Sequence, residues 1–311
     1  MSETDITITS GAVTLRGSLT GSAASPGRAA LLISGSGPID RDSNAKRLSI
    51  NVMRQIATHL SADGVASLRY DKRGVGESEG EYLSSGFLDN IADARAALEV
   101  LRSRPEVDPD QIVVIGHSEG ALIASALAVD EHLAGVVLLA GAAQNGEEVL
   151  RWQARQIAPT LPRPVRWLLK LARQDIVRTQ TKRLERIKAS TEDVIRIQFV
   201  RLNAKWFREF MTFEPAEALR KAAVPVLAVT GSKDIQVDPA DVGVMELAVP
   251  SPFTGHVIDD VTHLLRREPG PASLRTYKKQ ARRPIDGQIL ELLTDWIVAQ
   301  SDSVLRDRPG G

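Results

Sequence analysis

Ile112-Val113-Val114-Ile115-Gly116-His117-Ser118-Glu119-Gly120 decides the reading of this 311-residue chain. Its first four residues are continuously apolar, as suits a strand buried on both faces of a sheet. Ser118 to Val129 then reads as a helix. The Gly-x-Ser-x-Gly between them makes a sharp strand-to-helix turn, which lifts the serine hydroxyl above the sheet at strained backbone angles and requires small residues two before and two after it. The serine also stands at a helix N-terminus, where N–H groups and the dipole favour a developing oxyanion. The plainer alternative is a tight turn whose serine is only an N-cap.

Outward from this stretch the pattern repeats. Upstream, Ala29–Ser34 and Val65–Tyr70 read as buried strands; Leu48–Leu60 (Leu48, Val52, Ile56, Leu60) and Phe87–Leu101 have helical spacing. Downstream, Val136–Ala140, Val226–Thr230 and His256–Asp259 are short strand runs, and Ile285–Val298 is a closing amphipathic helix. The first 30 residues alternate at period two and are punctuated by Gly11 and Gly21, as antiparallel strands do. The alternation of strand and helix predicts a mostly parallel, doubly wound sheet of about eight strands whose first strands are antiparallel. Between Gln144 and Pro225 the alternation stops, and a segment without a clear strand carries helical periodicity. The expected organisation is a core over 1–143 and 222–311 with a helical cap inserted over 144–221, and Ser301–Gly311 as a frayed tail.

Composition narrows the function classes. Thirty-nine basic and 39 acidic residues cancel, which argues against whole-protein attraction to nucleic acid or anionic membrane. The absence of cysteine excludes a disulfide scaffold, a cysteine metal site and a cysteine nucleophile. Met1–Ser10 lacks a basic start and an apolar core, so no signal peptide is expected, and the longest apolar stretch, Gly135–Ala143, is too short to span a bilayer. A cytoplasmic protein without stable membrane insertion is the expectation.

A serine needs a base. Of the five histidines, His59 lies in a helix, His132 in a polar turn, His117 beside the serine but pointing away, and His256 opens a strand. His263 follows the last strand, at the sheet edge where the serine turn lies. An acidic partner to orient the imidazole is expected after a late strand, between serine and histidine in the chain. Asp234, in Gly231-Ser232-Lys233-Asp234, fits. Asp238 and Asp241 read better as helix caps, and Asp259 and Asp260 are less favoured because they stand so close to His263. For an oxyanion, the backbone N–H groups of Ser36, in Ser34-Gly35-Ser36-Gly37-Pro38, and of Glu119 are the donors expected. The glycine-rich strand end fits no nucleotide-binding pattern. Asp71-Lys72-Arg73-Gly74-Val75-Gly76-Glu77-Ser78 reads as a loop braced by Asp71 and Arg73.

These pieces, in this order, together with Thr262-His263-Leu264, resemble the α/β-hydrolase superfamily, and within it the serine-aminopeptidase-like, carboxylesterase-type branch. The resemblance implies carboxylic-ester hydrolysis through Ser118, His263 and Asp234 with an acyl-enzyme, and neither cofactor nor metal. Ser34 departs from the pattern, standing where the commoner oxyanion loop of the superfamily has histidine. The expected partner is a small-molecule ester or thioester, not nucleic acid; self-association is left open. Thioesterase, acyltransferase and peptidase chemistry use the same triad, and a silent hydrolase-fold binding protein is the alternative of another class.

The inserted segment carries no motif that transfers a substrate. Residues 151–221 hold 17 Lys plus Arg against 7 Asp plus Glu, a net +10, with three of the four tryptophans and four of the six phenylalanines. Solvation of the outer helix faces accounts for such charge most simply; attraction of an anionic substrate is the sharper reading.

Overall fold

The computed structural model describes residues 2–21, 26–162 and 175–307, together with 164, 167, 168 and 171. Parts of the expected insertion (163, 165, 166, 169, 170 and 172–174) and of the expected tail (308–311) lie outside these described residues.

An eight-stranded sheet carries the fold. Its members are β1 (Glu3–Ser10), β2 (Val13–Thr20), β3 (Gly27–Ile33), β6 (Ala66–Tyr70), β7 (Val107–His117), β8 (Gly135–Leu139), β11 (Val226–Gly231) and β12 (Phe253–Ile258). The order across the sheet is β1-β2-β6-β3-β7-β8-β11-β12. β1 pairs antiparallel with β2, and β2 antiparallel with β6; every later pairing is parallel. The architecture is the mixed α/β sheet that the strand pattern predicts.

The continuous apolar runs explain the two layers. In β3, Ala29, Leu31 and Ile33 enter one core, while Ala30 and Leu32 enter the other. β7 divides in the same way, with Ile112 and Val114 on one side and Val113 and Ile115 on the other. Side chains alternate at period two, so a strand with apolar residues at every position must be covered on both faces. Helices α2 (Phe87–Arg102) and α3 (Glu119–Leu127) cover the first face through Phe87, Leu98, Ile123 and Leu127. Helix α1 (Val52–Ala62) covers the second through Met53, Ile56 and Leu60, and the last helix, Gly287–Asp307, through Ile289, Leu293 and Ile297.

β3 is followed in the chain by β6 on one side, and β7 then docks on the other side. The connections leaving β3 and β7 therefore diverge, and a crevice opens at their carboxyl ends. Ser34-Gly35-Ser36 and the Ser118 turn both lie there.

Between β8 and β11 come α4 (Gly146–Ile157), α5 (Ile176–Lys188), a hairpin of β9 (Val194–Ile197) and β10 (Val200–Asn203), α6 (Ala204–Thr212) and α7 (Pro215–Arg220). Leu184, Ile187, Ala204 and Met211 form a small core of their own. The hairpin corrects the expectation of a strand-free segment. Its four-residue strands are only partly buried, so they lack the apolar run that marks the sheet strands. Further boundaries differ: β7 begins at Val107 rather than Ile112, and β12 at Phe253 rather than His256. Leu48 and Ser49 form a two-residue strand, β5, against Asn44–Ala45, β4, so α1 begins at Val52. The closing helix runs on to Asp307, beyond the expected onset of the frayed tail at Ser301. Among the described residues no helix is long and apolar enough to cross a membrane.

Arg69 of β6 ties the antiparallel edge to the parallel sheet. Its guanidinium is 2% exposed and donates to Asp42 (2.7 Å), Glu3 (2.8 Å) and the Thr20 hydroxyl. Replacing it with methionine takes the buried donor from Asp42 Oδ1, whose other oxygen keeps Arg54 at 3.3 Å, and from the Thr20 hydroxyl. Arg69→Met is expected to lower the unfolding free energy by about 2 kcal/mol, read from urea denaturation.

Candidate active site

Ser118 has φ +56° and ψ −118°, a conformation that side-chain-bearing residues rarely adopt. It persists because its surroundings leave no alternative. The Ser118 N–H donates to Leu139 O of β8 (2.9 Å), and its carbonyl accepts from Ala121 N (2.9 Å). A Cβ on Gly116 would collide with the Gly120 carbonyl, and one on Gly120 with the Ile33 carbonyl at the end of β3. These contacts are why the turn takes glycine on both sides of its serine.

The structure brings three of the sequence-predicted residues into one chain of hydrogen bonds. His263 Nε2 lies 3.1 Å from Ser118 Oγ, and His263 Nδ1 lies 2.8 Å from Asp234 Oδ2. Asp234 and His263 are buried. The other oxygen of Asp234 accepts from the N–H groups of Gln236 (2.7 Å) and Val237 (3.0 Å), which orients the carboxylate. With Nδ1 donating to Asp234, a neutral His263 has Nε2 free to accept the serine proton. The rival carboxylates are engaged elsewhere: Asp238 accepts from Ala240 N, Asp241 from Ala143 N, and Asp260 pairs with Lys233 at 2.7 Å. His59 and His132 face Asp63 and Asp110.

Two neighbours fix the His263 loop. His117 Nε2 donates to the His263 carbonyl (2.8 Å), and the two rings lie 5.0 Å apart. Burial, with the charge His263 can carry as the second cause, pushes His117 down to about 3, so it is neutral and holds its proton on Nε2. Arg266, also buried, donates to the carbonyls of Leu264, Ile50 and Arg283; burial and the nearby Arg283 push it down to about 10.

Ser36 and Glu119, the expected oxyanion donors, line a chamber of about 80 Å³ together with Ser118. Glu119 is the first residue of α3, so its N–H has no intrahelical acceptor four residues back. The Gly35–Ser36 peptide is held from behind. Lys72 Nζ donates to Gly35 O at 2.7 Å. In a trans peptide the carbonyl and the following N–H point in opposite directions, so anchoring Gly35 O sets where the Ser36 N–H points. The same ammonium pairs with Glu119 at 3.1 Å, and the other oxygen of Glu119 accepts from Asn90 (2.7 Å) and Trp206 Nε1 (3.0 Å). One buried ion pair thus links the Ser36 loop, the Ser118 turn and, through Trp206 of α6, the segment between β8 and β11. The sequence reading missed Lys72, Asn90 and Trp206 as partners of the site. The signal available was the placement of Lys72 directly after a strand, in a loop at the same sheet edge. Asp71 and Arg73 do brace that loop, by accepting from Arg41 and Glu77 N–H and by pairing with Asp93, respectively.

Two cavities share walls with the chamber. Through Val149, Gln236 and Val237 it adjoins a cavity of about 390 Å³ whose charges are mixed, with Arg151 and Arg155 facing Glu148, Asp238 and Asp241. Through Leu150, Trp206 and Ser36 it adjoins another of about 330 Å³ that contains Tyr82, Phe207, Arg183 and Arg201. Trp206 stacks on Phe210 at 4.6 Å to form the chamber wall. Among the described residues no cluster of three His, Asp or Glu is placed to hold a metal ion.

The family model described as "Hydrolase_4: Serine aminopeptidase, S33" matches residues 48–270. Esterase EstD of Thermotoga maritima is 28% identical over 276 residues, which cover 88% of this chain and 62% of that protein; the chain thus spans less than two thirds of this relative. Among solved structures, ferulic acid-bound Est1E from Butyrivibrio proteoclasticus superposes with a TM-score of 0.64 at 16% identity, over 96% of this chain and 99% of that one. A proline iminopeptidase from Mycobacterium smegmatis gives 0.62 at 13% identity, with the same coverages. At such identities the likeness concerns the fold.

Two outcomes follow. Lys72→Met leaves Glu119 buried without its cation and frees the Gly35 carbonyl; stability should fall by about 3 kcal/mol in urea denaturation. His117 takes up its second proton only near pH 3 when folded but near 6.5 when unfolded. The unfolded state therefore holds the extra proton between those values, and this contribution to stability is present above pH 6.5 and lost as pH falls, by about 1.4 kcal/mol per unit. Urea midpoints from pH 7 to 5 should fall more steeply for the wild type than for His117→Gln, which keeps a donor for His263 O.

Proposed function

We propose, from the premise that the chain belongs to the serine aminopeptidase S33-like family of α/β-hydrolases, that it is a serine carboxylesterase with Ser118 as nucleophile, His263 as base and Asp234 as its orienting partner. The observation that carries this reading is the unbroken Ser118–His263–Asp234 hydrogen-bond chain at 3.1 and 2.8 Å beneath an open chamber. Ser118 Oγ attacks the ester carbonyl carbon as its proton passes to His263 Nε2. Asp234 stabilises the resulting imidazolium. The carbonyl oxygen becomes an oxyanion, which accepts from the N–H groups of Glu119 and Ser36. Collapse of this intermediate breaks the carbon–oxygen bond, and the leaving alkoxide takes the proton from His263. Water then attacks the acyl-enzyme by the same route and restores Ser118. All the groups this sequence of steps requires are side chains and backbone N–H groups of this chain.

Residues 144–221 act as a cap in this reading. Trp206 reaches Glu119, and Gln153 of α4 donates to Gln236 O (2.8 Å), beside Asp234. Both contacts support a segment that shapes the ground above Ser118. The 80 Å³ chamber, roughly two to three water volumes, suits the ester group itself, and the two adjoining cavities suit its acyl and alcohol parts.

A peptidase is the second reading. Glu148, Asp238 and Asp241 in one adjoining cavity could hold a substrate α-amine, although Arg151 and Arg155 in the same cavity nearly offset them. Assays of p-nitrophenyl esters beside amino-acid p-nitroanilides decide between the two; an esterase turns over the former and not the latter.

Ser118→Ala is expected to lower kcat for p-nitrophenyl butyrate by about 10⁴-fold or more, and Asp234→Asn by a comparable factor with little change in KM. Retention of a tenth of the activity by Ser118→Ala would remove Ser118 as nucleophile.

A further inference from the structure

The cavity that adjoins the Ser118 chamber through Ser36, Leu150 and Trp206 has a neighbour of its own on the far side. It shares Arg183 with a groove of about 490 Å³ that also carries Lys182 and Arg186. Neither cavity nor groove has an aspartate or glutamate in its described lining. Trp206 stands on the chamber side of this cavity and Arg183 on the groove side, so the lining passes from aromatic near the serine to cationic away from it.

Some cations of the same segment are paired, while Arg155 and Lys221 have no carboxylate in reach among the described residues. Arg151 and Lys188 are both held by Glu147, Lys205 by Asp89, and Arg208 lies 4.0 Å from Asp193. Arg183 and Arg201 have no carboxylate in reach among the described residues. Arg183 is instead laid over the Phe207 ring, 5.7 Å from its centroid, which steadies the guanidinium at the cavity wall. Arg201 faces Arg196 directly across the β9–β10 hairpin. Like charges in that position oppose the pairing, and an anion beside them would relieve the repulsion.

We propose that the substrate of this site carries an anionic group, a carboxylate or a phosphate, which Arg183 and Arg201 hold while its ester or thioester carbonyl lies at Ser118. The proposal rests on the esterase reading. Lys182 and Arg186 lie where further negative charge on a longer substrate would run. Guanidinium groups bind carboxylate and phosphate through paired hydrogen bonds, and clustered cations raise the local concentration of an anion.

Two matched pairs test it and separate the two anion sources. Mono-(p-nitrophenyl) glutarate against p-nitrophenyl butyrate isolates the carboxylate. Butyryl-CoA against the neutral butyryl N-acetylcysteamine thioester isolates the phosphates. At low salt, kcat/KM for at least one anionic member should exceed its neutral partner by about tenfold or more. The preference should vanish toward 1 M NaCl, where the screening length is about 3 Å. In Arg183→Gln/Arg201→Gln the ratio of anionic to neutral kcat/KM should fall by about tenfold, mainly through KM. The salt series on the wild type and the single variant Arg201→Gln, at an exposed position, give the same reading without relying on the double variant's folding. Turnover of the neutral esters with no preference for either anion, or a preference that survives both salt and the double variant, overturns the proposal. Calorimetric binding of CoA and glutarate to Ser118→Ala needs no hydrolysis. Arginine-dependent binding there, with no ester turned over by the wild type, would sink the esterase reading and leave the anion site standing.

Discussion

The close approach of helix α3 to the end of β3 is the constraint on which the rest of the site depends. Gly120 has no side chain, and its Cα sits against the Ile33 carbonyl; Gly116, one turn earlier, sits against Gly120 itself. Only with both positions bare can the chain leave β7 and enter α3 within a single residue. That residue is Ser118, and its positive φ follows from the geometry. The strain is local, while the buried apolar strands on either side hold it in place. Because β3 and β7 are neighbours whose connections diverge, the same approach puts the β3 exit loop beside the serine hydroxyl. A Cβ on Gly35 would lie 3.2 Å from the Ser118 Cβ, so the two loops are in near contact.

Charge then does what packing cannot. A carboxylate at Glu119 beneath the site would be costly alone. With Lys72, Asn90 and Trp206 around it, its oxygens are satisfied, and the lysine has hydrogen left for Gly35 O. The network joins five segments far apart in the chain, at residues 35, 72, 90, 119 and 206. Removing one member leaves another buried group unpaired, so the network is all or nothing in the way buried polar clusters tend to be. On the other side of the serine, His117 and Arg266 play the corresponding part for the His263 loop. Both donate to main-chain carbonyls, and so fix a backbone path without competing for the imidazole nitrogens.

How much of this was legible in the sequence differs by element. Strands buried on both faces announce themselves as apolar runs, so β3, β7, β8 and β11 could be read directly, along with the loops at their carboxyl ends. Once those ends are known, Ser118, Asp234 and His263 are the residues of suitable chemistry in the right chain order, and the structure brings them within hydrogen-bond distance of one another. The β9–β10 hairpin was not legible. Its residues are half exposed, its tip is Gln198-Phe199 with positive φ at both positions instead of a glycine or asparagine signal, and its arginines mask the alternation. The helical reading of Leu48 failed because its spacing matches that of Val52 and Ile56 while Asn44 and Asn51 lock a small turn before the helix. The Lys72–Glu119 pair was beyond reach for another reason. Its partners are 47 residues apart, and nothing local to either marks the other.

The central claim is that Ser118 is a nucleophile made reactive by His263. The most direct measurement is covalent labelling by a fluorophosphonate, followed by peptide mass spectrometry, in the wild type and in His263→Ala. The account predicts a single adduct on the peptide containing Ser118, formed rapidly in the wild type and slowed by several powers of ten in His263→Ala. An unlabelled Ser118 in the folded wild-type protein, or labelling that proceeds at the same rate without His263, would contradict it.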